Sequence, residues 1–169
     1  CRVVSALLES LVAVHAKNFV HGDMKPENVL LSDNLSHATV LDLGLARRTS
    51  ASSIRSGSST PPTTMAGTLE YMSPEQCEGR SVIDVRADIY AVGVMLYEML
   101  TGHVPFWGPA AAVREGHLSR RPARMAVGAD ATHAAIRRSA DVSSRNPALQ
   151  IPPELEDVVM RCLEKDPQA

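Results

Sequence analysis

Residues 21–31 read HGDMKPENVLL, a stretch that sets several different chemistries close together. An imidazole, two acids, a lysine, a proline and an asparagine share a span too short for a helix of its own. A plain surface turn needs Gly, Pro, Asn or Ser for backbone reasons and rarely the rest. The stretch runs into Val29-Leu30-Leu31, and Thr39-Val40-Leu41 repeats that apolar pattern after the turn-forming SDNLSHA. Two short apolar runs around such a segment predict a small hairpin. Its far end returns Asp42-Leu43-Gly44 toward the loop at 21–28.

Upstream, Val3, Val4, Leu7, Leu8, Leu11 and Val14 recur at spacings of three and four, the mark of a helix with one buried face. That helix is expected to end near Lys17-Asn18, with Asn18 as its C-terminal cap, and Phe19-Val20 to be a very short extended piece. No capping residue precedes the helix, which begins at Cys1 with no initiating Met, and the chain stops abruptly after CLEKDPQA. We expect an internal piece of a larger protein.

Downstream, Arg47 to Thr64 is rich in Ser, Thr, Gly and Pro with almost nothing to bury, so a mobile segment is expected. Order should return at AGTLEYMSPEQ (66–76). The strongest helical pattern then places Ile89, Val92, Met95, Leu96, Met99 and Leu100 on a helix of about residues 86–101. Polar residues are so few there that it should be buried nearly all round, with Gly102 as its stop. Residues 110–150 are rich in Ala, Arg and Ser and weakly patterned, and composition favours a loop. A last amphipathic helix is expected over 153–164, with Glu154, Glu156 and Asp157 in a first turn where the helix dipole favours acids.

Composition sets outer bounds. The 169 residues are 44% apolar with a formal net charge of −2, which suits one globular unit with a real core. No tract is basic enough to suggest nucleic acid as a partner. The apolar run from Ile89 to Leu100 is broken by Glu98 and is shorter than the roughly 18 residues a membrane span needs. Three scattered cysteines fit neither a disulfide framework nor a zinc site; they suit a reducing, intracellular and cytoplasmic setting.

Each motif alone has an ordinary explanation: Asp23 as a turn acid, Lys25 as a solvated charge, DLG as a tight turn. Their order carries more weight. His21-x-Asp23-x-Lys25-x-x-Asn28 precedes a hairpin, then come Asp42-x-Gly44, a Ser/Thr-rich segment, Gly67-Thr68, Ser73-Pro74-Glu75 and Asp88 at the start of a buried helix. This series resembles the protein kinase family, in the larger, C-terminal lobe of a serine/threonine kinase, whose signatures are H-R-D with a downstream Asn, D-F-G and A-P-E.

The resemblance implies an α+β kinase-like fold of which residues 1–169 form the mainly helical C-lobe with a small hairpin, the N-lobe being absent. It implies a catalytic loop at 21–28 and an activation segment at 42–75. ATP and Mg²⁺ would be the cofactors, and the partner a protein substrate with a Ser or Thr acceptor. Asp23 would orient or accept the hydroxyl proton, Lys25 would offset charge on the transferring phosphate, and Thr68 would bond near both where the substrate enters. Asn28 and Asp42 would be the Mg²⁺ ligands, since Mg²⁺ beside nucleotide phosphates takes hard oxygens. Leu30, with Met95 and Met99, would floor the adenine site, both methionines also belonging to the core. His21 and Leu43 would join a packed column linking the lobes, and Asp88 would hold the loop backbone.

Three departures stand out. Gly22 replaces the arginine that in H-R-D kinases pairs with a phosphate on the activation segment, which leaves two readings open, a neutral variation and a changed mode of activation. Leu43 replaces Phe, a mild change. No Gly-rich loop, strand lysine or partner glutamate for a smaller lobe is found, and the arginine that in the family follows a pair like Asp166-Pro167 and pairs with the glutamate at the place of Glu75 does not occur before Ala169. The 169 residues in isolation are therefore expected to transfer little phosphate. A kinase-like scaffold without catalysis is the alternative reading, opposed by the intact Asp/Lys/Asn/Asp set.

Overall fold

A computed structural model of the chain describes residues 2–42, 47–48, 69–125 and 151–166; Leu43, Gly44, Gly67 and Thr68 lie outside them. The apolar spacing at the start produces α1 (Arg2–His15), which buries Ala6, Leu7 and Leu11. The chain turns through Asn18, whose φ of 57° is the left-handed conformation that Asn tolerates as a helix stop. It enters β1 (Phe19–Val20) and the loop at 21–25, then a 3₁₀ turn (Pro26–Asn28) opened by proline.

The expected hairpin forms from β2 (Val29–Leu31) and β3 (Ala38–Val40), antiparallel, with Val29 opposite Val40 and Leu31 opposite Ala38. α1 lies against β3, and Ser10 Oγ donates to the Ala38 carbonyl. One strand was not foreseen. Arg47–Arg48, expected to begin a mobile stretch, instead forms β4, antiparallel to β1. Backbone pairing to an available edge overrides side-chain composition over two residues. The rest of the Ser/Thr-rich segment, 49–64, lies outside the described residues.

After a second 3₁₀ turn (Leu69–Tyr71) and the short α2 (Pro74–Cys77), α3 (Val85–Thr101) runs through the core. Asp84 caps it by accepting the Arg86 N–H, and Gly102 ends it at φ 83°, donating its N–H to the Glu98 carbonyl. Ten of its residues are buried, including every one from Tyr90 to Tyr97. The helix is not buried all round, however. None of residues 98–101 is buried, and Met99, expected in the core, is 53% exposed.

The expectation of a loop over 110–150 is also corrected in part, since Ala110–Ser119 is α4. Its weak pattern hides a buried face of only Val113, Gly116 and His117, where a glycine supplies the contact that an apolar side chain would normally announce. Residues 126–150 lie outside the described part. α5 (Pro153–Cys162), with Glu154 and Glu156 in its first turn, packs on α3 through Val159 and Leu163. A Cβ on Gly93 would lie 2.6 Å from Cys162 Cβ, so α3 and α5 meet nearly backbone to backbone there. Among the described residues no helix is long and apolar enough to cross a membrane.

Candidate active site

The loop at 21–25 is irregular, yet its groups are buried and tied on all sides. Asp88, 1% exposed on α3, accepts the His21 N–H at 2.9 Å through Oδ2 and the Gly22 N–H at 2.8 Å through Oδ1. His15 Nε2, from α1, reaches the same Oδ2 at 2.7 Å. Since a carboxylate only accepts, His15 donates. One buried acid therefore offsets its desolvation with three donors from two segments.

His21 is fully buried, and its surroundings fix its tautomer. Nε2 lies 2.8 Å from the Leu41 carbonyl, so it carries the proton, and Nδ1 accepts the Asp23 N–H at 3.2 Å. The ring thus holds both the residue before Asp42 and the backbone of Asp23. Leu41 is held a second time, its N–H donating to the Asn28 carbonyl at 2.8 Å. Asp42 follows at φ 57° with its side chain exposed, and His37, Leu35 and Ser36 close the hairpin at the other end.

Asp23 is 8% exposed and is the focus of the loop. Lys25 Nζ lies 2.8 Å from its Oδ2. Asn28 Nδ2 donates to the Asp23 carbonyl at 2.7 Å and to its Oδ2 at 3.2 Å. That use of the amide nitrogen leaves Asn28 Oδ1, a hard oxygen, for a further partner. Leu30 is 59% exposed: Val29 and Leu31 pack on the core, and the two-residue period of β2 sends Leu30 to the opposite face.

Gly22 sits at φ +75°, where a Cβ is strained, and a Cβ there would also press on Ile83 Cδ1 at 3.3 Å. Its carbonyl accepts from Gln76 Nε2 at 2.7 Å. Gln76 and His15 were missed at the level of sequence. Ser73-x-x-Gln76 does have the spacing of a helix capping box, which would have directed attention to Gln76. His15 carries no local signal, because its partner is 73 positions away.

Asp23, Lys25, Asn28 and the Leu41–Asp42 end of the hairpin are thus gathered by one hydrogen-bonded frame, and Thr68 falls outside the described residues. Among these residues no cluster of three or more His, Cys, Asp or Glu side chains could hold a metal by itself. A family model described as "Protein kinase domain" matches residues 2–169. The chain belongs to the protein kinase family. Its kinase relatives include serine/threonine-protein kinase pkn3 of Myxococcus xanthus, 34% identical over 98% of this chain and 28% of the relative. PknB of Mycolicibacterium smegmatis is also 34% identical, over 98% of this chain and 23% of its own length. PknL of Mycobacterium tuberculosis is 43% identical over 64% of this chain and 26% of the relative. The chain spans about a quarter of the length of these curated kinases.

Two further features of this kinase domain lie away from the loop. Tyr71 donates to Glu98 Oε2 at 2.7 Å, and burial followed by the Glu98 contact raises its phenol pKa well above the ordinary value. Burial, then the Glu98 and Glu27 charges, raises the Glu70 carboxyl as well. At the other end of α3, Lys165 Nζ donates to Tyr90 Oη at 3.0 Å, and Tyr90 Oη lies 2.9 Å from His117 Nδ1. The Lys165 ammonium also sits 4.5 Å from the Phe106 ring centroid. His117 is fully buried, and among the described residues its Nε2 has no hydrogen-bond partner. Burial and then the Lys165 charge push the imidazole down to about 4, with the nearby Leu69 and Glu70 backbone pulling the other way. Glu75, 9% exposed, lines a cavity of about 130 Å³ with Arg86, Arg161 and Lys165, and no ion pair to it occurs among the described residues.

Proposed function

We propose that this chain is the catalytic, larger lobe of a serine/threonine protein kinase that transfers the γ-phosphoryl group of ATP to Ser or Thr hydroxyls of protein substrates. The observation that carries the reading is the convergence of Lys25 and Asn28 on Asp23 within a loop whose backbone is fixed from α3. Three costly polar groups meet there without contributing to the apolar core, which is the pattern of a site and not of a scaffold.

Phosphoryl transfer asks the protein mainly for positioning and charge neutralisation. Asp23, anchored through its own N–H and carbonyl, is the group to orient the acceptor hydroxyl and take its proton, a role worth about 10²–10⁴-fold. Lys25 is paired with Asp23 here, and turning its ammonium toward a bound phosphate would free the carboxylate for the hydroxyl. Asn28, whose Oδ1 has no partner among the described residues, and the exposed Asp42 suit Mg²⁺. When bound, Mg²⁺ would neutralise charge that the phosphates carry. Leu30 offers an apolar surface to the adenine, and Thr68 would complete the substrate side.

The test uses full-length protein with Mg²⁺-ATP and a mixed array of serine- and threonine-containing peptides. Phosphate transfer should be present in the wild type and abolished in Asp23→Asn and Asp42→Asn. Transfer unaffected by Asp42→Asn would remove it as a metal ligand, and none in the wild type would favour a non-catalytic scaffold.

A further inference from the structure

Gln76 stands outside the reacting groups yet touches the backbone beside them. Its Nε2 donates to the Gly22 carbonyl at 2.7 Å, across 54 positions of sequence. Its Oε1 accepts the Ser73 N–H at 2.9 Å and the Ser73 hydroxyl at 3.1 Å. A single side-chain amide therefore joins the N-terminus of α2 to the residue immediately before Asp23.

Gly22 is the place in the loop where such a tie matters most. Without a side chain, the peptide planes flanking a glycine rotate more freely than those of any other residue. Asp88 clamps the plane before Gly22 through its N–H. The plane after it, which sets where Asp23 points, is held at the Asp23 N–H by His21 Nδ1 at 3.2 Å and, by the shorter bond, at the Gly22 carbonyl by Gln76. A cavity of about 10 Å³ is lined by Gly22, Asp23 and Gln76 among others, room for about one water. Losing the amide would therefore leave a hydrated, loosened carbonyl and no packing collapse.

We infer that Gln76 is a positioning residue for phosphoryl transfer. It holds the Gly22–Asp23 peptide in the orientation that aims Asp23 at the acceptor hydroxyl, and it ties that peptide to Ser73-Pro74-Glu75 through an uncharged link. The inference rests on the kinase reading given above.

Gln76→Glu isolates the link, because a carboxylate still accepts from Ser73 but cannot donate to Gly22. Gln76→Met removes both contacts at similar volume and adds no charge. In full-length protein with Mg²⁺-ATP and the serine/threonine peptide array, kcat should fall about tenfold in both variants, with KM for ATP within about twofold of wild type. Amide hydrogen exchange at Asp23 should quicken in both, and the folded fraction under assay conditions is measured beside kcat. A wild-type kcat in Gln76→Glu, or a loss of kcat that merely tracks the folded fraction, overturns the inference. If the wild type transfers no phosphate, the kinase reading fails instead, and unchanged Asp23 exchange in Gln76→Glu still overturns the clamp by itself.

Discussion

The Asp88 carboxylate accepts the Gly22 N–H at 2.8 Å, joining residues 66 positions apart, and with the His21 and His15 bonds it makes one buried acid the anchor of the candidate catalytic loop. Asp88→Asn keeps the size but turns one acceptor oxygen into a donor that faces a backbone N–H or His15. Hydrogen bonds to charged groups are worth about 1.5–3 kcal/mol each, so a loss of roughly 3 kcal/mol is expected in urea unfolding. A change below about 1 kcal/mol would show that the anchor is dispensable.

Gly22 is held at φ +75° with Ile83 Cδ1 3.3 Å from where a Cβ would be. Gly22→Ala should destabilise by about 1–2 kcal/mol, the usual cost of a left-handed conformation for a residue with a Cβ. Gly22→Arg, which restores the residue of H-R-D kinases, should carry the same backbone cost. Thermal unfolding of the three proteins side by side checks both.

Helix propensity and packing make opposite predictions at Gly116. Replacing a mid-helix glycine by alanine would ordinarily stabilise by about 0.5–1 kcal/mol. Here the new Cβ would lie 2.5 Å from Phe106 Cγ, so overpacking of about 1–3 kcal/mol should prevail and Gly116→Ala should unfold earlier. Gly93→Ala should behave alike, with its Cβ 2.6 Å from Cys162 Cβ. A raised midpoint in either variant would contradict the close approach.

His117 gives a pH dependence with a definite sign. Its pKa falls from the ordinary imidazole value of 6.5 to about 4 in the folded chain, so the folded state binds fewer protons than the unfolded state between these values. Its contribution to stability is fully present above pH 6.5 and is lost as pH falls through about 4. The loss should total about 3 kcal/mol at roughly 1.4 kcal/mol per pH unit. Unfolding free energies from pH 7 to pH 4 should fall more steeply for the wild type than for His117→Asn, and parallel slopes would refute the assignment.

Local pattern made several elements legible: α1, the hairpin, the Gly102 stop and the first turn of α5 all follow from spacing, turn chemistry and caps. The order of His21, Asp23, Asn28 and Asp42 likewise directed attention to the candidate site. Pattern failed where a contact came from a residue with no signal of its own. α4 has a glycine on its buried face, β4 consists of two arginines, and Met99 continues the apolar spacing of α3 yet lies in the open.

The sequence by itself determined which chemical groups this protein carries and in what order, because reactive side chains and helix periods are local properties. Only the tertiary structure decided how they are held. Gln76 and Asp88 reach the loop backbone from two helices, since a buried backbone N–H or carbonyl must find a partner wherever the chain can supply one, and His15 braces Asp88 from a third. It also decided the meaning of Gly22. The glycine forgoes an arginine's charge, but its φ of +75° and two clamped peptide planes place it in the frame that orients Asp23.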